Sequence, residues 1–119
     1  MAQFNLASLY RNGFGIAVDF ALALMWYRKA ADQGLALAQS NIGWMYQNGL
    51  GVEQDFKEAF LWNHKAACQG YAKAQGTIGI MYENGFGVEQ DRQKAIEWYS
   101  KAAAQDERTA IAALNRMGV

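Results

Sequence analysis

The chain has 119 residues, a length that suits one domain of ordinary size. A composition of 52% hydrophobic and 18% charged residues is typical of a globular protein and excludes a disordered one. With 11 basic and 11 acidic residues the formal net charge is zero, which gives no reason to expect a nucleic acid or an anionic membrane as partner.

The first predicted feature along the chain is a glycine motif that occurs three times. It reads LYRNGFGIAVD at 9–19, MYQNGLGVEQD at 45–55 and MYENGFGVEQD at 81–91. The ten residues at the start, MAQFNLASLY, lack the basic segment and the long apolar stretch of a signal peptide, so none is predicted. No apolar run approaches the roughly 20 residues that span a bilayer, so membrane insertion is not expected.

The motif belongs to a longer repeat of 36 residues. Between residues 35–70 and 71–106, 20 of the 36 positions are identical. Self-similarity at such a period is the signature of a repeat architecture. The sequence therefore predicts one repeat domain over residues 1–119, with units at 1–34, 35–70 and 71–106 and a terminal half-unit at 107–119.

Each unit is predicted to contain two α-helices. In AQSNIGWMYQ the apolar residues Ile42, Met45 and Tyr46 recur at helical spacing. In FKEAFLWNHKAA, Ala59 and Trp62 do the same. The predicted fold class is therefore all-α, with about three and a half units.

The glycine motif lies between the two helices and is interpreted as a turn. We expect Gly49 and Gly51 to end the first helix, with a positive φ at one of them. Asp55 is placed to cap the second helix, and Glu58, three residues later, completes a capping box. Gly34 and Gly70 close the second helix, whereas the third unit has Asp106 there, so that turn is open to a different form.

A phosphate-binding loop is the alternative interpretation of the glycine motif. Such a loop has lysine and then serine or threonine directly after its glycines, at the start of a helix. Here Gly51 is followed by Val52, Glu53 and Gln54, and an acidic residue repels phosphate. The pattern therefore favours a turn.

Gly43 and Gly79 lie inside the predicted first helices, where glycine costs about 1 kcal/mol relative to alanine. Their recurrence predicts that the partner helix packs too closely for a methyl group, with Ala59 and Ala66 facing this position. Ala7 occupies it in the first unit, so small size is the requirement.

Few residues are candidates for chemistry. His64 is the only histidine, and because Arg28 and Ser100 occupy its register in the other units, we expect it at the surface. Cys68, the only cysteine, has no disulfide partner; it stands four residues from His64, a spacing that places both on one helix face. No third group that would complete a nucleophilic site with Cys68 and His64 is visible in the sequence. The spacing of metal ligands is also absent.

The residues now match a known pattern, A-x-A-Q-x-x-[LI]-G-x-x-Y-x-x-G-x-G-V-x-x-D-x-x-x-A-x-x-W-Y-x-K-A-A-x-x-G. This resembles the Sel-one-like repeat, a relative of the tetratricopeptide repeat. In the second unit the pattern is carried by Ala36, Ala38, Gln39, Ile42, Gly43, Tyr46, Gly49, Gly51, Val52, Asp55, Ala59, Trp62, Lys65, Ala66, Ala67 and Gly70. Departures are Ala7 for glycine, Asn63 for the tyrosine seen at Tyr27 and Tyr99, and Asp106 for the last glycine.

The resemblance implies a right-handed αα superhelix whose first helices line a concave face that holds proteins or peptides. In such a solenoid, function is expected at positions that do not repeat. By analogy with tetratricopeptide geometry, the predicted partner-binding residues are Phe4, Asn5, Ser8, Arg11, Ser40, Asn41, Trp44, Gln47, Thr77, Ile80, Glu83 and Arg116. The apolar members either form an exposed stripe or pack against their own helix neighbours, and the sequence leaves both open.

The leading hypothesis is a non-catalytic scaffold that binds a peptide or protein segment on its concave face, without a cofactor. A second hypothesis is a structural or self-associating fragment of a longer repeat array, in which the amino-terminal end leaves Phe4, Leu6, Leu9 and Tyr10 partly uncovered. A third is a hydrolase, for which some cysteine-rich relatives give a precedent. No nucleic acid is expected, and the compartment stays open between the cytoplasm and a bacterial envelope or secreted context.

Overall fold

The structure is a computed structural model that describes residues 19–119. Over that range it contains six α-helices and no strand: α1 Phe20–Asp32, α2 Ala36–Asn48, α3 Phe56–Cys68, α4 Ala72–Asn84, α5 Arg92–Ala103 and α6 Arg108–Arg116. The two helices predicted for the second unit are α2 and α3, and those of the third are α4 and α5. The predicted first helix of the first unit, with Phe4, Leu6, Leu9 and Tyr10, lies outside the described residues.

The core is a row of three apolar clusters. The first lies between α1 and α2, the second between α3 and α4, and the third between α5 and α6. Half-buried Tyr46 packs against the first and the second cluster, and Tyr82 against the second and the third. Each unit is therefore joined to the next by an aromatic ring, and the described helices form an all-α solenoid, which confirms the predicted fold class.

Aspartates cap the second helices, as predicted. The carboxylates of Asp19, Asp55 and Asp91 accept hydrogen bonds from backbone N–H groups in the first turns of α1, α3 and α5. Only half of the predicted capping box forms, however: the Asp55 carboxylate accepts the Glu58 N–H at 3.2 Å, but the reciprocal bond is not made. The backbone N–H of Asp55 donates to the Tyr46 carbonyl at 2.9 Å, so it is already used and Glu58 has no role in accepting it. The same bond joins Asp91 to Tyr82.

The glycine motif does more than turn the chain. Both Gly49 and Gly51 have a positive φ, of 65° and 76°, where the sequence predicted one. A Cβ built on Gly51 lies 2.7 Å from the carbonyl oxygen of Phe20, the first residue of α1. In the two motifs within residues 19–119, the second glycine, Gly51 or Gly87, is therefore also the place where one unit rests on the backbone of the preceding unit.

The turn after α5, the second helix of the third unit, keeps the form of the turns after α1 and α3. Asp106 has φ +62°, close to the conformations of Gly34 and Gly70. Aspartate is among the few residues other than glycine that visit the left-handed region at moderate cost. The substitution therefore does not change this turn.

The close helix approach predicted from Gly43 and Gly79 is confirmed, and of the two predicted neighbours Ala59 takes part in it. A Cβ on Gly79 lies 2.6 Å from Cδ1 of Tyr99 in α5. A Cβ on Gly43 lies 2.8 Å from Cγ of Asn63 and 3.1 Å from the Ala59 carbonyl oxygen. The side chain at the register of residues 63 and 99 therefore occupies the space that glycine leaves, and Ala66 is not among the nearest neighbours.

Buried glutamines connect successive units, a feature that the sequence analysis missed. The Gln75 amide donates to the Ala67 carbonyl at 3.2 Å, and its oxygen accepts from Gln105 at 3.0 Å. In the preceding unit Gln39 bonds Ala31 and Gln69 in the same way. These bonds satisfy polar groups that would be costly to bury alone.

None of the helices within residues 19–119 has the length and apolar character that crossing a bilayer requires.

Candidate interaction surface

The first helices of successive units, α2, α4 and α6, share one surface, which we call the first-helix face. Three neighbouring pockets lie along it. The first is lined by Ser40, Asn41, Trp44, Gln47, Asn63, Lys73 and Thr77, the second by Lys73, Gly76, Thr77, Ile80, Glu107 and Thr109, and the third by Ile80, Glu83, Asn84, Tyr99, Thr109, Ala112, Ala113 and Arg116. Adjacent pockets share lining residues, so they form one continuous groove.

The predicted partner-binding residues that fall within the described range all line this groove. They are Ser40, Asn41, Trp44, Gln47, Thr77, Ile80, Glu83 and Arg116. The other four, Phe4, Asn5, Ser8 and Arg11, lie outside the described residues. The structure thus brings the eight residues together, and their role in binding stays a prediction.

The apolar members of the set behave differently from one another. Trp44 leaves 38% of its surface exposed. Ile80 is half-buried and packs against the third cluster. An exposed aromatic group is therefore present at the second unit, while the third unit offers a smaller apolar surface.

An ion pair occupies the third pocket. The Arg116 guanidinium donates to both carboxylate oxygens of Glu83, at 2.8 and 2.9 Å, and the Tyr99 hydroxyl donates to the same carboxylate at 2.8 Å. The hydrogen bond from Arg116 lowers the pKa of Glu83, and burial, followed by the bond to Glu83, raises the pKa of Tyr99. The sequence analysis named Glu83 and Arg116 only as separate partner-binding residues and missed this pair.

The pair makes stability depend on pH. The pKa of Glu83 is lowered in the folded state, so the ion pair stabilises the fold fully when the pH is above the pKa that Glu83 has in the unfolded chain. This stabilisation is lost as the pH falls through the pKa that Glu83 has in the folded protein. Replacing Arg116 with glutamine should therefore lower the urea midpoint slightly at neutral pH and leave it unchanged once Glu83 is protonated. Urea unfolding of both proteins at neutral and strongly acidic pH measures this, and a difference that grows on acidification would contradict the assignment.

His64 is not the surface residue that the sequence predicted. It is half-buried, stacked on Phe60 with ring centroids 5.5 Å apart and in edge contact with Trp98 at 5.6 Å. The Sγ atom of exposed Cys68 lies 3.6 Å from its Nδ1, so the two do share a helix face. His64 thus belongs to an aromatic contact between α3 and α5. Within residues 19–119 no three His, Cys, Asp or Glu side chains are grouped to hold a metal ion.

The second helices carry a different repeated feature. Lys29, Lys65 and Lys101 each place the ammonium group over a tryptophan ring of the same helix, 4.3 to 4.4 Å from its centroid. Such cation–π contacts contribute about 0.5–1 kcal/mol at exposed sites. Since this arrangement is the same in every unit, it is an element of the repeat, whereas the first-helix face differs from unit to unit.

Helix pairs with a common period, a shared core and a groove of non-repeating residues define an all-α repeat solenoid. The model for the Sel1 repeat matches residues 1–35, 36–71 and 72–107. The chain therefore belongs to the Sel1 repeat family, which confirms the resemblance. Proteins of this family are typically scaffolds for protein–protein interaction and are generally not catalysts.

Solved structures give the same result. A protective antigen of uropathogenic Escherichia coli strains with an SLR fold, c5321, is 46% identical with a TM-score of 0.86, over 87% of this chain and 22% of that chain. A Sel1 repeat protein from Oxalobacter formigenes is 37% identical with a TM-score of 0.91, over 95% of this chain and 46% of that chain. This chain therefore spans less than half the length of either protein.

A more distant similarity shows the fold alone. Helicobacter pylori cysteine rich protein B is 22% identical with a TM-score of 0.74, over 77% of this chain and 69% of that chain. A search of curated proteins found no match.

Proposed function

We propose that the chain is a non-catalytic scaffold that binds a peptide or an extended protein segment along its first-helix face, the face predicted to be concave. The observation that carries the proposal is the exposed ring of Trp44 in a continuous groove whose lining varies between units. The rest of each unit is repeated for packing, so the groove is where one partner can be distinguished from another.

The chemistry around Trp44 suits an extended peptide. Large aromatic side chains are enriched among the residues that dominate binding energy, and Trp44 offers such an anchor. The side chains of Asn41 and Gln47 line the same pocket and form no hydrogen bond with another residue in the described range. Their amides can therefore pair with the N–H and C=O groups of a peptide backbone.

The test is a matched pair of variants. Peptides are first selected from a random displayed library with the purified full chain, and their affinity for Trp44→Ala and for Leu61→Ala is then measured by calorimetry. Leu61 is the control because it is a large apolar side chain, 54% exposed, on the second helix α3. Trp44→Ala should weaken binding about tenfold or more, and Leu61→Ala should leave it unchanged.

Two outcomes would contradict the proposal. One is a library that yields no binding peptide. The other is a set of peptides that lose affinity with Leu61→Ala and keep it with Trp44→Ala. Circular dichroism of both variants establishes that the fold is intact, as expected for two partly exposed side chains.

A further inference from the structure

One register of the second helices departs from the repeat. Helices α1, α3 and α5 place Met25, Leu61 and Glu97 there, and all three side chains are exposed. Met25 leaves 43% of its surface exposed and Leu61 leaves 54%. Since the third unit has glutamate at this register, the packing of the repeat does not require an apolar side chain there.

Met25 and Leu61 lie on neighbouring helices. Trp62 of α3 packs against the first cluster, which contains Leu24 and Tyr27 of α1, so the two helices are joined through that cluster. Met25 and Leu61 hold equivalent positions one unit apart and are therefore aligned in one row across the two helices. A single exposed apolar side chain is ordinary, whereas a contiguous apolar patch marks an interaction site.

Basic side chains surround this row. They stand three or four positions from Met25 or Leu61, which puts them on the same helical faces, and they are Arg28, Lys29, Lys57 and Lys65. All four are exposed, and within residues 19–119 none of them forms an ion pair. The acidic residues of α1 and α3 are Asp32 and Glu58, so four basic residues against two acidic ones leave this pair of helices with a net charge of +2.

We propose that these two apolar and four basic residues, which we call the Leu61 patch, dock an amphipathic helix of a partner protein. The apolar face of that helix packs on Met25 and Leu61, and its acidic residues lie against the basic side chains. Two neighbouring helices present a groove that accepts a third helix. The partner helix is acidic because the charge around the patch is positive and unpaired, and complementary charge speeds encounter and fixes the orientation of docking.

Two other occupants fit the patch less well. A second copy of this chain offers no suitable helix within residues 19–119, because none of the six helices there carries a net negative charge. An anionic bilayer would meet Glu97, which continues the row in the third unit and is repelled by anionic headgroups.

The inference goes beyond the proposed function and does not depend on it. The Leu61 patch lies on the second helices, whereas the groove lies along the first helices. The chain can therefore hold one segment in the groove and a second partner on the Leu61 patch at the same time.

A pair of designed peptides tests the patch. The acidic probe is a helical peptide of about 18 residues, with leucines along one face and glutamates on both flanks. The reference probe keeps the leucines and has lysines in place of the glutamates. Binding of each probe to the full chain is measured by fluorescence anisotropy. The acidic probe should bind about tenfold or more tightly than the lysine probe, and its affinity should fall as salt is added.

Matched variants place the binding at this patch. Leu61→Ser should weaken binding of the acidic probe about tenfold, whereas Trp44→Ala, in the groove, should leave it unchanged. Lys57→Gln should reduce the salt dependence of binding, and Lys73→Gln, which removes an exposed lysine of the first-helix face, should not. All four replaced side chains are exposed, so the fold is expected to stay intact, and circular dichroism checks it.

The inference would be overturned if the acidic probe did not bind, if the two probes bound equally, or if Leu61→Ser left binding unchanged. Phosphatidylglycerol vesicles that bind through Leu61 when the acidic probe does not would assign the patch to a membrane. A dimer that Leu61→Ser abolishes, again without binding of the probe, would assign it to a second copy. None of these results involves the groove, so the Trp44→Ala test of the proposed function stays separate.

Discussion

Replacing Gly87 with alanine is expected to destabilise the protein by about 2–5 kcal/mol. About 1–2 kcal/mol comes from placing a Cβ on a residue with a left-handed backbone, since Gly87 has φ +75°. About 1–3 kcal/mol more comes from overpacking, because that Cβ would lie 2.5 Å from the carbonyl carbon of Phe56 in the preceding unit. Chemical denaturation followed by circular dichroism measures the loss.

Gly70 provides the matched control. It has φ +89°, and a Cβ built on it meets no atom within 4 Å. Gly70→Ala should therefore cost only the conformational part, about 1–2 kcal/mol. If the two substitutions cost the same, Gly87 does not mark a close contact between units and serves the turn alone.

The second large effect is expected at Tyr99. Its side chain is 0% exposed and fills the space over Gly79, so Tyr99→Ala should cost about 3–5 kcal/mol, as for other buried aromatic residues. Tyr99→Phe removes only the hydroxyl that donates to Glu83 and should cost about 0.5–1.5 kcal/mol. Equilibrium unfolding of both variants separates the contribution of the ring from that of the hydrogen bond.

A double-mutant cycle with Glu83→Gln checks the second contribution. If the hydroxyl acts through the Glu83 carboxylate, Tyr99→Phe and Glu83→Gln should be non-additive. Additive effects, or a Tyr99→Phe variant as unstable as Tyr99→Ala, would show that the packing described for this residue is wrong.

The sequence predicted the parts of the fold that repeat along the chain. Helical spacing gave the helix pairs, and the recurring aspartates gave the N-caps. The glycine motif gave the turns, although only one left-handed glycine was expected where Gly49 and Gly51 both adopt that conformation. These features are local, so neighbouring residues carry their signal.

Contacts between units could not be predicted in this way. Spacing along one chain does not show that Gly51 rests on the Phe20 backbone or that Gln75 bonds the Ala67 carbonyl of the preceding unit. The reciprocal bond of the capping box is absent for a related reason, since the Asp55 N–H is used by Tyr46, nine residues earlier. In each case a contact outside the local pattern decides the outcome.

The candidate site was predicted in part. The analogy with tetratricopeptide geometry predicted eight residues that line one groove. It treated Asn63 only as a departure from the repeat pattern and so missed the pocket beside this residue. It also placed His64 at the surface, because the variable residues at its register gave no sign of the rings of Phe60 and Trp98 around it. Both signals appear only when helices of different units are packed together.

The most direct test of the account is to locate a selected peptide on the surface of the protein by cross-saturation NMR. The account predicts that saturation of the peptide reaches residues of the first-helix face, with Trp44 and Thr77 among the strongest, and does not reach Leu61 on α3. Saturation centred on the tryptophan–lysine pairs of the second helices, with Trp44 unaffected, would contradict it.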